Sequence, residues 1–373
     1  MKILILCDHY PLSPRVKKVR NSMINQHENC EIKVFAWNRE SKPVMEDYVE
    51  VFNQNIEYGN KKDKAINLAR FTLKAKEYFN KFNPDYIHAI DFEMLISSVI
   101  ISRKAKIIYE VYDIKFLRNK VLNWIREKLE LNIIKKYVSA MVLASPYFEI
   151  YYNSKGINKI TKITINNKPS KRLETFKSNE YMLPYESTLK NKTVIGFVGT
   201  IRYKNILLNL INAANNIENI IILLAGSGPN FNDIKEYIET NNLQHKVIMT
   251  GRYQELDLPS IYNVCDYIWA AYPNKDINVK YAISNKFFES IIFKKRVIVS
   301  EKTMIGQSVI DLNIGYTVDP HDVVEIISLL TLFDKGYRFD SSVMFDNSLF
   351  WEDEEVKLLN IYCKSITNVE GVI

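Results

Sequence analysis

The sequence predicts an α/β protein made of two doubly wound parallel-sheet domains. Short apolar runs alternate with longer amphipathic stretches along nearly the whole chain, which is the pattern of βα repetition. The length of 373 residues is too great for one ordinary core and suits two. One polar stretch, 166–192, interrupts the alternation and separates two halves of similar size.

Apolar runs bounded by polar or turn residues predict the strands. They lie at 3–7, 32–37, 86–90, 106–111 and 140–145 in the first half, and at 194–199, 220–226, 247–251, 267–271 and 297–300 in the second. Amphipathic stretches at 14–26, 62–82 and 117–137 predict helices between strands. Strands covered by helices on both faces form a parallel sheet.

The polar interruption predicts the domain boundary, because a structureless stretch of this length is unusual inside a compact domain. We expect an N-terminal domain at 1–168, a linker at 169–191 and a C-terminal domain at 192–345. A closing helix at 346–368 carries an apolar stripe and is expected to pack back on the first domain.

Composition excludes several classes of protein. Hydrophobic residues make up 47% of the chain and charged residues 25%, as in a globular protein. No window approaches 18 consecutive apolar residues, so no membrane-spanning helix is expected. The four Cys lack metal-ligand spacing, which favours reduced thiols, a cytoplasmic location and no metal site.

Positive charge is concentrated between Arg103 and Arg172, where 16 Lys and Arg face 5 Asp and Glu. Such a region suits nucleic acid, an anionic membrane surface or an anionic substrate, and a solvated face with no partner is the alternative. Within it, helix 117–137 has one apolar stripe, for which we expect packing in the core. Its Trp and basic residues also suit contact with anionic lipid at the membrane surface. The stripe comprises Leu117, Val121, Trp124, Ile125, Leu129, Ile133 and Tyr137.

Four loops of the second half are candidates for ligand binding, because ligands of open α/β sheets gather at the carboxyl ends of the strands. The first loop has a glycine at a turn, followed by two cations. The second loop has two glycines on either side of Ser227. The third loop has an arginine before a short helix. The fourth caps a helix that carries one carboxylate. The residues are Gly199, Arg202 and Lys204; Gly226 and Gly228; Arg252; and Ser284, Asn285, Lys286 and Glu289. The GxGxxG fingerprint is absent, which argues against an ordinary dehydrogenase.

The ordered motifs of the whole chain resemble those of the bacterial glycosyltransferases of family 4. In the second half these are FVGTIRYKN, LLAGSGP, VIMTGRYQ, SIYNVCDYIWAAYPN and SNKFFE. ILCDHYPLSPRVKKV, IHAIDFEML and the terminal WEDE agree more loosely. The resemblance implies the GT-B fold, with two Rossmann-like domains facing across a cleft, and sugar transfer with retention from a nucleotide-sugar donor.

The resemblance also implies roles for residues of the second half. Arg202 and Lys204 would bind the donor diphosphate and stabilise the leaving group, and Glu289 would bind the ribose hydroxyls. The nucleotide cradle would be completed by Gly199, Gly226, Gly228, Arg252, Ser284, Asn285 and Lys286. The first Glu of the family's E-x7-E motif is replaced by Tyr281, which leaves the contacts of the sugar open.

In the first half we expect His9, Arg15, His88 and Asp91 to bind the acceptor, and Asp113 to act in catalysis. His9 as a structural turn residue and His88 as a core histidine are the alternatives. No metal or other cofactor is expected beyond the UDP- or GDP-linked donor, since cations and a helix N-terminus can stabilise the leaving group.

The predicted function is sugar transfer to a glycan or lipid-linked saccharide acceptor in bacterial surface polysaccharide biosynthesis, in the cytoplasm or at the inner face of the plasma membrane. A nucleotide-sugar 2-epimerase of the same fold and a non-catalytic nucleotide-sugar or partner-binding protein are the alternatives. A nucleic-acid binder using the basic region is a third, but no recognition motif supports nucleic acid as a partner.

Overall fold

The computed structural model describes residues 1–26, 29–55, 61–336 and 349–367. The chain divides into two compact units. Unit 1 comprises Met1–Asn167 and Glu354–Ile373, and unit 2 comprises Lys168–Asp353. The predicted end of the C-terminal domain at 345 and the predicted start of the closing helix at 346 both lie outside the described residues.

Unit 1 contains a seven-stranded parallel sheet in the order β3-β2-β1-β4-β5-β6-β7. Its strands are β1 (Lys2–Cys7), β2 (Glu31–Asn38), β3 (Val49–Asn53), β4 (Tyr86–Ile90), β5 (Lys106–Val111), β6 (Val138–Leu143) and β7 (Thr161–Thr164). The helices between them are α1 (Pro14–Gln26), α2 (Lys61–Phe82), α3 (Asp91–Ile101), α4 (Lys120–Tyr137) and α5 (Pro146–Ser154).

Unit 2 contains a six-stranded parallel sheet in the order β10-β9-β8-β11-β12-β13. Its strands are β8 (Thr193–Val198), β9 (Ile220–Ala225), β10 (Val247–Gly251), β11 (Tyr267–Ala270), β12 (Arg296–Ser300) and β13 (Gly315–Val318). Its helices are α6 (Glu186–Leu189), α7 (Lys204–Asn215), α8 (Phe231–Thr240), α9 (Leu258–Val264), α10 (Ile277–Tyr281), α11 (Asn285–Ile292), α12 (Met304–Asp311) and α13 (Val323–Asp334), and α14 (Trp351–Thr367) follows.

The predicted fold class is confirmed, because each unit is a Rossmann-like parallel sheet wound in both directions from its first strand. Central strands are mostly apolar because helices cover both faces of the sheet. Every residue of β9, with the sequence IIILLA, is buried. The Pro14–Gln26 helix has the predicted bounds.

Three strands were not predicted. The outer strands β3 and β7 bury none of their residues, and β13 buries only its first and last residues. Each forms the end of its sheet order. Edge strands need less apolar surface than central ones, so their sequences gave no continuous apolar run.

The segment expected as a linker, 169–191, lies within unit 2. It forms two short 3-10 helices, Lys171–Thr175 and Glu180–Tyr185, followed by α6. Leu173, Met182 and Leu189 from this segment are buried in the core of unit 2. The segment therefore covers one face of the second sheet, which its high polar content concealed.

The C-terminal helix α14 begins in unit 2 and ends in unit 1. The Trp351 amide donates a hydrogen bond to the Pro169 carbonyl oxygen at 2.8 Å. About three turns later, Tyr362 is fully buried and packs edge-on against Tyr86 of β4. The helix is thus part of the core of unit 1.

The expected core packing of the helix 117–137 is wrong for its N-terminal half. Val121 is 65% exposed and Trp124 59% exposed, while Ile133 is buried. Helix α4 instead turns Arg126 and Glu130 toward the sheet, where they form an ion pair of 2.6 Å. The hydroxyl groups of Tyr109 and Tyr152 donate to Glu130 at 2.7 and 2.9 Å and satisfy the buried carboxylate.

Candidate functional site

Two glycine loops meet at the carboxyl ends of β8 and β9. A Cβ added to Gly226 would lie 1.9 Å from the Gly199 carbonyl oxygen, and one added to Gly228 would lie 2.5 Å from the Ile201 carbonyl oxygen. Gly226 also has a φ of +139°, which other residues rarely adopt. Glycine is therefore required here for the close approach of one backbone to the other.

Hydrogen bonds hold the two loops in this arrangement. The Gly199 amide donates to the Ala225 carbonyl oxygen at 2.8 Å, and the Ile201 amide donates to that of Ser227 at 3.1 Å. The Asn230 side-chain amide donates to the Arg202 carbonyl oxygen. The loops thus form a preorganised backbone surface at the edge of the sheet.

A pocket of about 480 Å³ lies over these loops. Backbone of small residues forms one side, and the residues after β10 contribute a guanidinium group and a phenol ring. Such a lining leaves room for the close approach of an anionic group to the backbone. The pocket is lined by Gly199, Thr200, Gly226, Ser227, Gly228, Arg252 and Tyr253.

Helix α11 places a lysine beside this pocket. Ser284 is its N-cap, and its hydroxyl oxygen accepts from the Lys286 amide at 3.4 Å. The Lys286 side chain is buried, and its ammonium group lies 3.0 Å from where a Cβ of Gly199 would stand. It donates to the Tyr272 hydroxyl oxygen at 2.7 Å and lies 4.5 Å from the Phe197 ring centre.

Glu289 follows Lys286 by one turn and is held by a buried phenol. The Tyr262 hydroxyl donates to Glu289 Oε2 at 2.6 Å, and the Tyr262 ring stacks on Phe293 at 4.6 Å. Burial raises the pKa of the pocket residue Tyr253, and the nearby Glu289 carboxylate raises that pKa further. Glu289 therefore lies close to the pocket with one carboxylate oxygen fixed by the core.

Arg202 and Lys204, the cations expected in the first loop, are more exposed than the buried Lys286. Arg202 is exposed at the end of the loop. Lys204 begins α7 and forms a 3.0 Å ion pair with Asp233, in which both side chains are about half exposed. Contact of Lys204 with a bound anion would require exchange of that pair. Asn285 is exposed at the first position of α11, and Tyr281 ends α10.

In unit 1, Asp91 and Asp113 lie at the carboxyl ends of β4 and β5. Asp91 is buried and has a φ of +62°, and its Oδ1 accepts from the amides of Tyr112 at 2.9 Å and Asp113 at 3.4 Å. Burial raises the pKa of Asp91 to about 7, although Lys115, whose ammonium group is 3.4 Å from Oδ2, opposes the rise. Asp113 itself is exposed.

Arg15 and His88, which were expected to bind an acceptor, belong to a buried ionic network. Arg15 Nε and Nη2 donate to Glu110 Oε1 at 2.9 and 2.7 Å. His88 Nε2 lies 2.7 Å from Glu110 Oε2, and its Nδ1 lies 2.5 Å from the Tyr362 hydroxyl oxygen. Both side chains are directed into the core, so His88 is a core histidine.

His9 lies in the loop after β1 and is half-buried. Its Nδ1 is 3.0 Å from Asp8 Oδ1, and Arg39 Nη2 is 3.2 Å from Asp8 Oδ2. Burial opposes ionisation of Asp8, but His9 and Arg39 outweigh it and hold the pKa of Asp8 below its usual range. The edge of the first sheet thus carries one ionised carboxylate and, in Asp91, one that titrates near neutrality.

The raised pKa of Asp91 predicts a pH dependence of stability. Between its ordinary pKa near 4 and the folded value of about 7, the native state keeps a proton that the unfolded state has lost. The Asp91 contribution should therefore fall by about 1 kcal/mol from pH 5 to pH 6. Urea unfolding of wild type and of Asp91→Asn across this range measures this contribution. The free energy of unfolding should fall less steeply with rising pH in Asp91→Asn than in wild type. Equal slopes would contradict the assignment.

Sequence patterns did not identify several residues of these sites. Thr200, Tyr262, Tyr272 and Glu110 had no role in the predicted sites. Among the described residues, no group of three or more His, Cys, Asp or Glu side chains is placed to bind a metal ion. In the same part of the chain, no helix combines the length and apolarity needed to cross a bilayer.

Comparison with known proteins agrees with this geometry. Residues 185–336 match the family described as glycosyl transferases group 1. The comparison with curated proteins gives no match. Sucrose-phosphate synthase from Thermosynechococcus elongatus has a TM-score of 0.73 at 13% identity, with 99% of this chain and 100% of that chain covered.

Two further solved structures are similar over nearly the whole chain. Anabaena HepE in complex with UDP has a TM-score of 0.66 at 14% identity, with both chains covered completely. UDP-GlcNAc 2-epimerase from Methanocaldococcus jannaschii has a TM-score of 0.63 at 12% identity, covering 98% of this chain and 100% of that one. Identities this low show similarity of fold alone. Together with the family match across most of unit 2, they show the GT-B fold and support a glycosyltransferase.

Proposed function

We propose that the protein transfers a sugar from a UDP- or GDP-linked donor to a glycan or lipid-linked saccharide, with retention of configuration as in family 4. The glycine cradle formed by Gly199, Gly226 and Gly228 carries this proposal. Its backbone groups allow a diphosphate to approach closely, and the segment lies inside the family match. HepE, which has a similar fold, was solved with UDP and with UDP-glucose, and this supports a nucleotide-sugar donor.

Stabilisation of the leaving nucleoside diphosphate is the chemical task of unit 2 in this proposal. Negative charge develops on the diphosphate as the glycosidic bond breaks, and preorganised cations and amide dipoles lower the barrier. We assign this role to Lys286, to the N-terminus of α11 with Ser284 and Asn285, and to Arg202. Lys204 joins them if its ion pair with Asp233 opens. Arg252 and Tyr253 line the pocket, and we assign them to the nucleoside.

The acceptor is assigned to unit 1. His9, Asp91 and Asp113 remain candidates, because they lie at the carboxyl edge of the first sheet. With a pKa of about 7, Asp91 can hold or release a proton at neutral pH, as a general acid or base acting on an acceptor hydroxyl requires. We propose a place in surface polysaccharide biosynthesis at the cytoplasmic side of the membrane, without a metal ion.

Replacing Glu289 by alanine tests the assignment of the ribose site. A carboxylate that accepts from two ribose hydroxyls contributes about 3 kcal/mol, so the affinity for UDP or GDP should fall about 100-fold. The 2′-deoxynucleotide should bind wild type more weakly and respond much less to Glu289→Ala. Isothermal titration calorimetry with both ligands and both proteins measures the coupling.

The matched control is Glu236→Ala, an exposed carboxylate on α8, which should leave both affinities unchanged. Tyr262→Phe should weaken binding about fivefold through loss of the hydrogen bond that orients Glu289. Equal losses for the ribose and deoxyribose ligands would refute the ribose role of Glu289. Incubating the enzyme with the donor alone and then analysing the donor's sugar separates transfer from epimerisation. Without an acceptor, only an epimerase changes the identity of that sugar.

A further inference from the structure

A group of exposed apolar side chains, close together in the sequence, lies on unit 1 outside the sites described above. It comprises seven large side chains from the loop before α4 and the first half of that helix, and we call it the α4 patch. Each of these residues is at least 36% exposed, and four of them, Phe116, Val121, Leu122 and Trp124, are more than half exposed. The α4 patch consists of Phe116, Leu117, Val121, Leu122, Trp124, Ile125 and Leu129.

Hydrogen bonds hold the backbone beneath the α4 patch in place. Asn119 is the N-cap of α4, and its side-chain oxygen accepts from the amides of Val121 and Leu122 at 3.0 Å each. The Leu117 amide donates to the Asn123 side-chain oxygen at 2.9 Å. On the inner side, the ion pair of Arg126 and Glu130 anchors the helix to the sheet. The apolar side chains are therefore presented outward by a fixed helix. Surfaces of this kind mark interaction sites.

The charges around the α4 patch indicate what covers it. Arg118, Lys120 and Lys128 are exposed among or beside the apolar residues, and the Lys128 ammonium group lies 5.7 Å from the Trp124 ring centre. The one carboxylate between 116 and 129, Glu127, is half-buried and pairs with Lys155 at 2.5 Å. The surface thus combines apolar side chains with cations. Two copies meeting through it would bring like charges together, which disfavours self-association.

We propose that the α4 patch binds the surface of a membrane that contains anionic lipids. Aliphatic side chains and a tryptophan would enter the boundary between headgroups and acyl chains, where tryptophan is favoured. The three cations would contact lipid phosphates, each strengthening binding roughly fivefold. This inference is independent of sugar transfer, because binding to vesicles needs neither donor nor acceptor.

Tryptophan fluorescence offers a local test, because Trp124 differs from the other three tryptophans of the chain. Trp37, Trp269 and Trp351 are all buried. Vesicles of phosphatidylcholine and phosphatidylglycerol should shift the emission of Trp124 to shorter wavelength, and bromine on the acyl chains should quench it. Trp124→Phe should remove the shift while co-sedimentation with vesicles persists.

A double substitution tests the role of the surface itself. Val121→Glu with Ile125→Glu should weaken vesicle binding at least about tenfold and leave thermal unfolding unchanged, because both side chains are exposed. Leu73→Glu on α2, at a position 63% exposed, is the matched control and should bind like wild type. Binding should fall with added salt and with vesicles of pure phosphatidylcholine.

Three results would overturn the proposal. Wild type could fail to sediment with anionic vesicles. The double variant could sediment as well as wild type, which would place binding elsewhere. Light scattering could show a dimer that the double variant abolishes, which would make a second copy the occupant of the α4 patch.

Discussion

Replacing Arg15 by methionine is expected to lower the free energy of unfolding by about 3–5 kcal/mol. Arg15 and Glu110 are 3% and 0% exposed, and the guanidinium group donates two hydrogen bonds to one carboxylate oxygen. Burial favours the neutral form of Glu110, but Arg15 and His88 outweigh it and lower the pKa of Glu110. Without Arg15 a buried charge loses its strongest partner. Urea unfolding near neutral pH measures the loss.

Two further variants separate this explanation from general damage. Arg70→Ala on α2 removes an exposed guanidinium group and should change stability by less than about 0.5 kcal/mol. In a Glu110→Gln background the buried charge is gone, so Arg15→Met should cost clearly less there than in wild type. Equal costs in the two backgrounds would contradict the ionic network. A large loss of acceptor affinity with unchanged stability would restore Arg15 to the active site.

Replacing Gly226 by alanine is expected to destabilise unit 2 by at least about 3 kcal/mol and to weaken nucleotide binding at least about tenfold. The new Cβ would lie 1.9 Å from the Gly199 carbonyl oxygen, and backbone cannot rotate away as a side chain can. The φ of +139° adds strain. Relief requires the two glycine loops to separate, and this would disrupt the cradle. Thermal unfolding and calorimetric titration with UDP or GDP measure the two effects.

Gly336→Ala provides the comparison for Gly226→Ala. Gly336 has a φ of +76°, but no atom lies within 4 Å of its added Cβ. Gly336→Ala should therefore lower the free energy of unfolding by only about 1 kcal/mol, through backbone strain, and leave nucleotide binding intact. If Gly226→Ala lowered stability and nucleotide affinity no more than Gly336→Ala, the close contact between the two glycine loops would not be needed for folding of unit 2 or for nucleotide binding.

Periodicity predicted the central strands because most of their residues are apolar, as in IIILLA of β9. It did not predict β3, β7 or β13, since an edge strand needs little apolar surface. In α4, periodicity correctly grouped an apolar stripe but could not show which side faces the sheet. That side carries the ion pair of Arg126 and Glu130, whose burial depends on tyrosines from β5 and α5.

Two loops of unit 2 could be located from the sequence because a glycine follows the ends of β8 and β9. Gly199 and Gly226 were found in this way, and Lys286 through the polar corner before α11. The partners of these residues could not be predicted. The contact of Tyr262 with Glu289 joins positions 27 residues apart, and that of Arg15 with Glu110 joins positions 95 apart. Such pairs arise only when the sheet assembles, and a lone Glu in the strand KIIYEV gives no sign of its partners.

Calorimetric titration of the purified protein with UDP and with GDP tests the central claim most directly. The claim is that the glycine cradle of unit 2, with Lys286 and Glu289 beside it, binds a nucleoside diphosphate. One of the two nucleotides should bind at one site per chain with micromolar affinity, and Glu289→Ala should weaken it about 100-fold. Absence of binding by wild type to both nucleotides would contradict the claim.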